Sequence, residues 1–186
     1  MKRLLDVLLS SILIIILAIP MIVIATCILL TSKGPAIYWS DRVGKDNIIF
    51  KMPKFRSMRI DTPTVATHLL DNPDVYLSSI GGFLRRSSLD EIPQLFSVLK
   101  GDMSLVGPRS ALYNQSDLIA LRVEKGVDKL FPGITGWAQV NGRDQLSIPD
   151  KVALEEEYLN RQSFWFDIKI LWMTFINVFN QDGVSH

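Results

Sequence analysis

The chain has 186 residues, a length that suits one domain, and its 20 Lys and Arg residues nearly balance 19 Asp and Glu residues. This balance argues against a nucleic-acid-binding protein, because such proteins usually carry a basic excess. Hydrophobic residues make up 48% of the chain, which predicts a lipid-facing part, and the single cysteine, Cys27, excludes an intrachain disulfide or a cysteine-rich metal site.

The N-terminal segment carries no charge from position 7 to position 30. As one straight helix these 24 residues would reach about 36 Å at ~1.5 Å per residue, more than a bilayer core of ~30 Å. The run is also longer than the ~7–15-residue apolar core of a signal peptide. We therefore predict a membrane helix over residues 1–32, followed by a second part of the chain over residues 33–186.

Two features bear on how this segment lies in the membrane. Pro20, near its middle, removes a hydrogen bond and disturbs a helix. Lys2 and Arg3 precede the segment and Lys33 follows it, and basic flanks favour the cytoplasmic side. A re-entrant helix that is broken at Pro20 would keep both flanks on one side. From the residues alone, this arrangement and a spanning helix stay equally open.

Asp6 is an acid near the start of this apolar segment, where an unpaired charge is costly. Arg3 lies three residues earlier, on the same helical face. We therefore predict a local Arg3–Asp6 ion pair at the level of the lipid headgroups.

Residues 34–60 read as short strands with turn signals at Asp46–Asn47, which predicts a β-hairpin. Its second half places basic residues, among them Lys54 and Arg56, between apolar ones. Such a strand either lines an anionic ligand site or forms a solvated face, and the pattern favours the second. Residues 61–80 are polar and predict a loop followed by a short helix.

The stretch RRSSLDEIPQL places Asp90 beside Glu91, between two arginines and an apolar run. Ser88 and Glu91 have the spacing of a capping box, but Pro93 would then lie inside the helix, where it is disfavoured. A helix that begins at Asp90 instead tolerates Pro93 in its first turn. Both carboxylates would then lie at the positive end of the helix dipole.

A carboxylate in this position can act as a nucleophile and form an acyl phosphate. Cations must offset its repulsion of a phosphate. Arg85 and Arg109 are candidates, as is Mg²⁺, which takes oxygen ligands and bridges phosphates.

Two loops contain glycine and arginine, LKGDMSLVGPRS at 99–110 and FPGITGWAQVNGRD at 131–144. Glycine lets the backbone come close to a ligand, and Arg109 and Arg143 offer planar forks for phosphate oxygens. Neither loop has a nucleotide-binding fingerprint, so each is a weak signal for phosphate binding.

Helices are predicted over about 111–130 and 150–162, with the glutamates at 155–157 on a solvated face. The stretch SFWFDIKILWMTFINVF, residues 163–179, is too short to span a bilayer. It is either an amphipathic helix in the membrane interface or a buried core helix. The predicted fold class is α+β and mainly helical, with a small β-hairpin and interfacial amphipathic helices.

Four segments together resemble the signature blocks of a known family. They are KFRSM, FLRRSSLDEIPQLFSVLKGDMSLVGPR, PGITGWAQVNGR and SFWFDIKIL. In this order they are similar to the bacterial sugar transferases, monotopic phosphoglycosyl transferases that start glycan assembly on undecaprenyl phosphate. The resemblance runs from about residue 2 to about residue 179. The compact size resembles the smallest members, which act in protein glycosylation on a UDP-linked diacetamido-trideoxyhexose.

The resemblance implies roles for particular residues. Asp90 would attack the β-phosphate of a UDP-sugar and release UMP, after which undecaprenyl phosphate would attack the phosphoaspartyl sugar. Glu91 would hold Mg²⁺ together with Asp90, or assist proton transfer. The residues that would bind phosphate are Arg109 and, as further candidates, Arg85, Arg143, Lys54 and Arg56.

The resemblance also implies a location on the cytoplasmic face of a bacterial inner membrane, with residues 33–186 as a cytosolic catalytic domain. The N-terminal segment would be the re-entrant helix of the family, in contact with membrane lipid. Downstream glycosyltransferases would be further partners. Ile19 stands where the family often has serine before the break, so the break would depend on Pro20 alone or on another donor.

Two other functions fit the residues alone. The first is a membrane-anchored, metal-dependent phosphatase or pyrophosphatase, in which the same carboxylates hold a metal that activates water. The second is a non-catalytic membrane adaptor whose basic hairpin contacts lipid headgroups.

Overall fold

The computed structural model describes residues 2–62, 73–142 and 146–180. It has the predicted mixture of helices and small sheets. The helices are α1 Lys2–Thr31, α2 Gly81–Arg86, α3 Gln94–Lys100, α4 Ser116–Glu124, α5 Trp137–Val140, α6 Ile148–Arg161 and α7 Phe164–Asn180. The strands are β1 Ile37–Val43, β2 Ile49–Phe55, β3 Ser104–Val106, β4 Ala111–Leu112 and β5 Gly133–Thr135. Most of the predicted loop after the hairpin lies outside the described residues, and the short helix after it is a 3₁₀ turn, Pro73–Tyr76.

The predicted hairpin is confirmed. β1 pairs with β2 in antiparallel register along its whole length, and β4 pairs with the other edge of β1. Opposite residues of an antiparallel pair share a face, so Tyr38 lies on the same face as Lys54, its partner in the register. Side chains alternate with a period of two, so Arg42 lies on this face as well.

The two loops that contain glycine and arginine are joined through a parallel sheet of β3 and β5. Gly107 donates its N–H to the carbonyl oxygen of Thr135, and Gly133 donates to that of Pro108, both at 2.8 Å. A Cβ added at Gly133 would lie 2.1 Å from the nitrogen of Gly107. These two glycines therefore let the two loops approach each other. The side chain of Arg109, in the first of these loops, reaches Glu91 of the acidic pair.

The N-terminal segment forms one helix, and Pro20 does not divide it into two. α1 runs from Lys2 to Thr31 with Pro20 inside it. Proline removes one hydrogen bond and clashes with the preceding turn, but a helix can absorb this as a kink while its other turns stay bonded. The predicted break is not confirmed, and the re-entrant topology stays a prediction.

By length and composition, α1 is the one described helix that could cross a membrane. Only 6% of its most apolar 18-residue window is buried, unlike the core helix of a soluble protein, although a signal sequence would pass the same test. Ile15, Ile19 and Leu30 are each at least 75% exposed. The opposite side of α1 packs along the domain, where Ile28 is fully buried.

The predicted Arg3–Asp6 ion pair is wrong, because both side chains bind the domain instead. Asp6 accepts hydrogen bonds from the hydroxyl of Ser104 at 2.9 Å and from the N–H of Leu105 at 3.0 Å. Arg3 donates to carbonyl oxygens at the end of α3, with 2.7 Å to that of Leu99. The first turns of α1 lie against α3 and β3, so tertiary partners replace the local one.

The predicted C-terminal helix is confirmed as α7, and one side of it packs into the main core. Asp167 on this side accepts hydrogen bonds from Lys2 at 2.8 Å and from the hydroxyl of Tyr158 at 2.7 Å. Trp165 and Trp172 on the other side are 78% and 62% exposed. One side of the helix thus packs as a core helix does, while its aromatic side is exposed. Contact of the aromatic side with lipid stays a prediction.

Candidate active site

The acidic pair lies in a short 3₁₀ turn, Leu89–Glu91, just before α3. The prediction that a helix begins at Asp90 is wrong, because α3 begins at Gln94 with Pro93 as its N-cap. Proline costs little there, since the first N–H groups of a helix have no partner within it. Ser88 has a φ of 55° and no side-chain cap bond, so the capping box is absent as well.

Glu91 is held between two cations. Lys54 donates to its Oε1 at 2.8 Å, and Arg109 donates to Oε1 at 3.0 Å and to Oε2 at 3.5 Å. Burial alone would raise the pKa of Glu91, but the charges and hydrogen bonds of Arg109 and Lys54 outweigh burial and hold this pKa well below its usual range. Glu91 is therefore a charged anchor for both cations.

Asp90 has a different environment from its neighbour. It is 8% exposed, yet its carboxylate accepts no hydrogen bond from any part of the chain that the structure describes. Burial raises the pKa of Asp90, and the charge of Glu91 adds to the rise, while Lys54 and Arg85 oppose it. The carboxylate of Asp90 is therefore under the electrostatic influence of several cations, but it is not hydrogen-bonded to them as that of Glu91 is.

Lys54 connects the two acids electrostatically. Its ammonium group bonds Glu91, and its charge is the strongest electrostatic influence on Asp90. Burial lowers the pKa of Lys54, an effect that Glu91 opposes and Arg109 reinforces. The basic strand was predicted either to line an anionic ligand site or to form a solvated face. At Lys54 the solvated face is excluded, because this side chain faces the acidic pair.

Arg85 also lies beside the pair. It donates from Nε to the hydroxyl of Ser57 at 3.0 Å, and its charge lowers the pKa of Asp90. Four predicted residues from three separate segments therefore meet around Asp90. They are Lys54, Arg85, Glu91 and Arg109.

Arg56 lies apart from this group, at the end of α1, and its predicted role in phosphate binding stays a prediction. Its guanidinium donates to Ser32 at 3.0 Å and to the carbonyl oxygen of Gly34 at 3.2 Å, at the end of α1. The reason is local, since β2 ends at Phe55 and the chain then leaves the hairpin face that carries Lys54. Arg143 lies outside the described residues.

A buried ion pair holds the main chain at Arg109 in place. Arg122 of α4 donates to Glu155 of α6 at 2.5 Å and 2.8 Å, and to the carbonyl oxygen of Arg109 at 2.9 Å. Glu155 is 2% exposed, so the predicted solvated face of three glutamates is wrong at this position. A buried carboxylate needs such a partner, and here the partner also fixes the main chain of the site.

Arg42 is a residue that the sequence reasoning missed. It lines a cleft of about 200 Å³ together with Lys54, Glu91 and Arg109. Its Nε donates to the hydroxyl of Ser40 at 3.0 Å, and its Nη1 donates to the carbonyl oxygen of Ser110 at 3.3 Å. Burial, reinforced by Arg109 and opposed by Glu91, lowers the pKa of Arg42 to about 10. The predicted hairpin offered a signal, because even spacing along one strand places residues on one face.

The acidic pair offers carboxylate oxygens of the kind that Mg²⁺ prefers, and the predicted ion stays a prediction. In the described residues, no group of three or more His, Cys, Asp or Glu side chains could hold a metal. Mg²⁺ commonly takes only one or two carboxylates, with waters and substrate phosphates as its other ligands. Both oxygens of Asp90 are available, and Oε2 of Glu91 has only a long contact of 3.5 Å with Arg109.

The chain is similar in sequence to a known protein family and to several of its members. The sequence profile of the bacterial sugar transferases matches residues 1–181. The chain is 38% identical over 182 residues to the UDP-glucose:undecaprenyl-phosphate glucose-1-phosphate transferase of Escherichia coli (strain K12), covering 94% of this chain and 39% of that protein.

Two further relatives have similar names. The undecaprenyl-phosphate glucose phosphotransferase of Komagataeibacter xylinus is 40% identical over 184 residues, with 93% of this chain and 35% of that protein covered. The undecaprenyl-phosphate galactose phosphotransferase of Salmonella typhimurium is 36% identical over 201 residues, with 98% and 41% covered. The chain thus spans about two fifths of the length of these relatives.

Proposed function

Because the chain belongs to the bacterial sugar transferase family, we propose that it transfers a sugar 1-phosphate from a UDP-sugar to undecaprenyl phosphate and releases UMP. The relatives are named for transfer of glucose 1-phosphate or galactose to this lipid carrier. In this proposal the reaction passes through a covalent phosphoaspartyl intermediate on Asp90 and starts the assembly of a glycoconjugate.

The observation that carries the proposal is the difference between the two acids. Glu91 is paired with two cations at 2.8 Å and 3.0 Å, whereas Asp90 is buried beside the same cations without a hydrogen bond to its carboxylate from the described residues. A nucleophile needs an oxygen that is not already occupied, and attack on a diphosphate needs cations nearby. Asp90 meets both requirements.

Two displacements at phosphorus complete the reaction. First, an oxygen of Asp90 bonds to the β-phosphorus, and the bond from this phosphorus to the bridging oxygen breaks, so the electron pair leaves on the phosphate of UMP. Second, a phosphate oxygen of undecaprenyl phosphate bonds to the same phosphorus, the acyl phosphate bond breaks, and Asp90 returns as a carboxylate. Lys54 and Arg109 offset negative charge in both steps.

Glu91 has a supporting role in this scheme. Its lowered pKa makes it a poor proton donor, and neither displacement requires one. It holds Lys54 and Arg109 in place. Asp90 and Oε2 of Glu91 would hold Mg²⁺ with the substrate diphosphate, where the ion neutralises charge on the phosphate oxygens.

The contacts of α1 support a re-entrant position on one side of the membrane. Near its start, Lys2 bonds Asp167 of α7 at 2.8 Å. Near its end, Ile28 packs against Phe55 and Leu84 of the same domain. A spanning helix would have to withdraw one end from the domain, so we propose that both ends stay on the cytoplasmic face of the inner membrane.

The test is a reaction without the lipid acceptor. The chain in lipid nanodiscs receives Mg²⁺ and UDP-sugars labelled in the β-phosphate, with UDP-glucose, UDP-galactose and UDP-diacetamido-trideoxyhexose as donors. We expect release of at most one UMP per chain together with label bound to the protein, and turnover once undecaprenyl phosphate is added. Asp90→Asn should lose both signals, while the exposed control Asp117→Asn should keep them.

Other products would identify the alternative functions. Inorganic phosphate or free sugar phosphate as the main product would identify a hydrolase. If none of the donors yields UMP or bound label with the unchanged chain, the proposed transferase reaction is wrong.

A further inference from the structure

We propose that the side-chain amide of Gln94 binds the sugar phosphate that is transferred, and that it recognises the hydrogen-bond donor at carbon 2 of the sugar. This assignment rests on the proposed function, because it gives Gln94 one part of the UDP-sugar as its ligand. Three observations carry it: the burial of Gln94, its position beside Glu91, and the donors and acceptors of the cleft.

Gln94 is a buried polar residue without a partner for its side chain. It is 3% exposed, yet its amide forms no hydrogen bond with any part of the chain that the structure describes. Buried polar groups in proteins are nearly always hydrogen-bonded, because an unpaired one costs free energy. A ligand that supplies the missing partners would offset this cost.

The position of Gln94 brings its side chain close to the acidic pair. Gln94 lines the cleft together with Lys54, Glu91 and Arg109. The 3₁₀ turn that contains the acids continues into α3 with helical backbone angles. Residues three and four positions apart on a helical turn are neighbours, so Gln94 lies on the side that carries Glu91 and Asp90. A phosphate that Asp90 attacks is therefore near this amide.

The amide differs from the other charged and polar groups of the cleft, because it both donates and accepts. The side chains of Arg42, Lys54 and Arg109 only donate. Glu91 accepts, but two of these cations already bond its carboxylate. A phosphate dianion offers acceptors and no donor, so it can bond Nε2 of Gln94 but not Oε1. The partner of Oε1 must come from another part of the ligand.

A sugar 1-phosphate supplies both partners at neighbouring positions. Its phosphate oxygens accept a hydrogen bond, so Nε2 of Gln94 can donate to one of them. Carbon 2 of the sugar is next to the carbon that bears the phosphate. In glucose and galactose it carries a hydroxyl group, and in 2-acetamido sugars it carries an N–H group. Each of these can donate to Oε1, so the contact serves several donor sugars.

Binding of two probes to the full chain in nanodiscs tests this contact. The probes are glucose 1-phosphate and its 2-deoxy analogue, which has no donor at carbon 2. Neither probe can react, because neither carries UMP as a leaving group. The unchanged chain should bind the analogue about 5- to 30-fold more weakly, since the analogue leaves the buried amide oxygen unpaired.

Gln94→Met removes both hydrogen-bonding atoms and keeps an unbranched side chain of similar size. It should weaken binding of glucose 1-phosphate about 10- to 100-fold and bind the two probes equally. Gln94→Glu keeps an acceptor but adds a negative charge near the phosphate. It should weaken both probes and still prefer glucose 1-phosphate. The matched control is Gln162→Met, because Gln162 is an exposed glutamine at the end of α6. It should change neither affinity.

The assignment is overturned if the unchanged chain binds the two probes equally or binds neither, or if Gln94→Met keeps the preference for glucose 1-phosphate. An amide that serves only the fold, or that holds a metal, would give this last result, because it would change both affinities by one factor. These outcomes differ from a failure of the proposed function, because binding does not require the covalent step. A chain that forms the Asp90 adduct but binds the two probes alike keeps the function and loses this assignment.

Discussion

The junction between α1 and the domain and the candidate active site both bury carboxylates, but they surround them differently. At the junction, Asp6 and Asp167 are 4% and 2% exposed. Each of their four oxygens has a hydrogen-bond donor within 3.0 Å. At the active site, Glu91 is paired with cations, whereas Asp90 has a carboxylate without a hydrogen bond from the described residues.

This difference in hydrogen bonding suggests that the junction acids serve stability and that Asp90 serves activity. Burial of a charged carboxylate costs free energy, which hydrogen bonds and opposite charges offset. The junction acids are fully paired, so we expect them to hold α1 on the domain. Asp90 lacks such bonds, so it should contribute little to stability while its oxygens stay available to a substrate. Substitutions in the two regions should therefore have opposite consequences.

The largest effect is expected from Asp90→Asn on activity. UMP release should fall by about 10³-fold or more, since the nucleophile is removed. The free energy of unfolding should stay the same or rise, because an amide avoids the desolvation cost that raises the pKa of Asp90. Unfolding of the chain in detergent, followed beside UMP release, measures both. A large loss of stability would show that Asp90 is a structural acid like those of the junction.

At the junction, Asp6→Ala should show the reverse. The hydroxyl of Ser104 and the N–H of Leu105 would lose their acceptor while buried, which should lower the free energy of unfolding by about 2–4 kcal/mol. The matched control is Asp41→Ala, whose exposed pair with Lys51 should contribute less than about 1 kcal/mol. Equal effects of the two substitutions on unfolding would remove the distinction between the junction and the surface.

Local signals explain what could be predicted from the sequence. Short strand-like runs and turn signals predicted the hairpin, and Pro93 argued against the capping box. The acidic pair and its nearby arginines stood out because two acids lie between basic residues in a short stretch. Arg42 was within reach of the same reasoning, since it is an even number of positions from Tyr38, which is opposite Lys54.

Two of the errors fall where a partner is distant in sequence. Ser104, which binds Asp6, is 98 positions away, so the nearby Arg3 looked like the natural partner. Glu155 cannot be told from Glu156 and Glu157 by its letter, because its burial depends on how α6 packs against Arg122 of α4. Each of these acids has an interaction that only the tertiary fold provides.

The smallest effect is expected on the pH dependence of UMP release, and it tests whether Lys54 acts on Asp90 itself. Attack requires the carboxylate form, and burial raises the pKa of Asp90. UMP release should therefore decline with falling pH at a higher pH than for an ordinary aspartate. Lys54 lowers this pKa, so Lys54→Met should move the decline to still higher pH. Lys51→Met is the control, because this side chain is 70% exposed on the opposite face of the hairpin. It should leave the pH of the decline unchanged. An unmoved pH profile in Lys54→Met, whatever its rate, would mean that Lys54 serves Glu91 alone and that the two acids are not coupled through it.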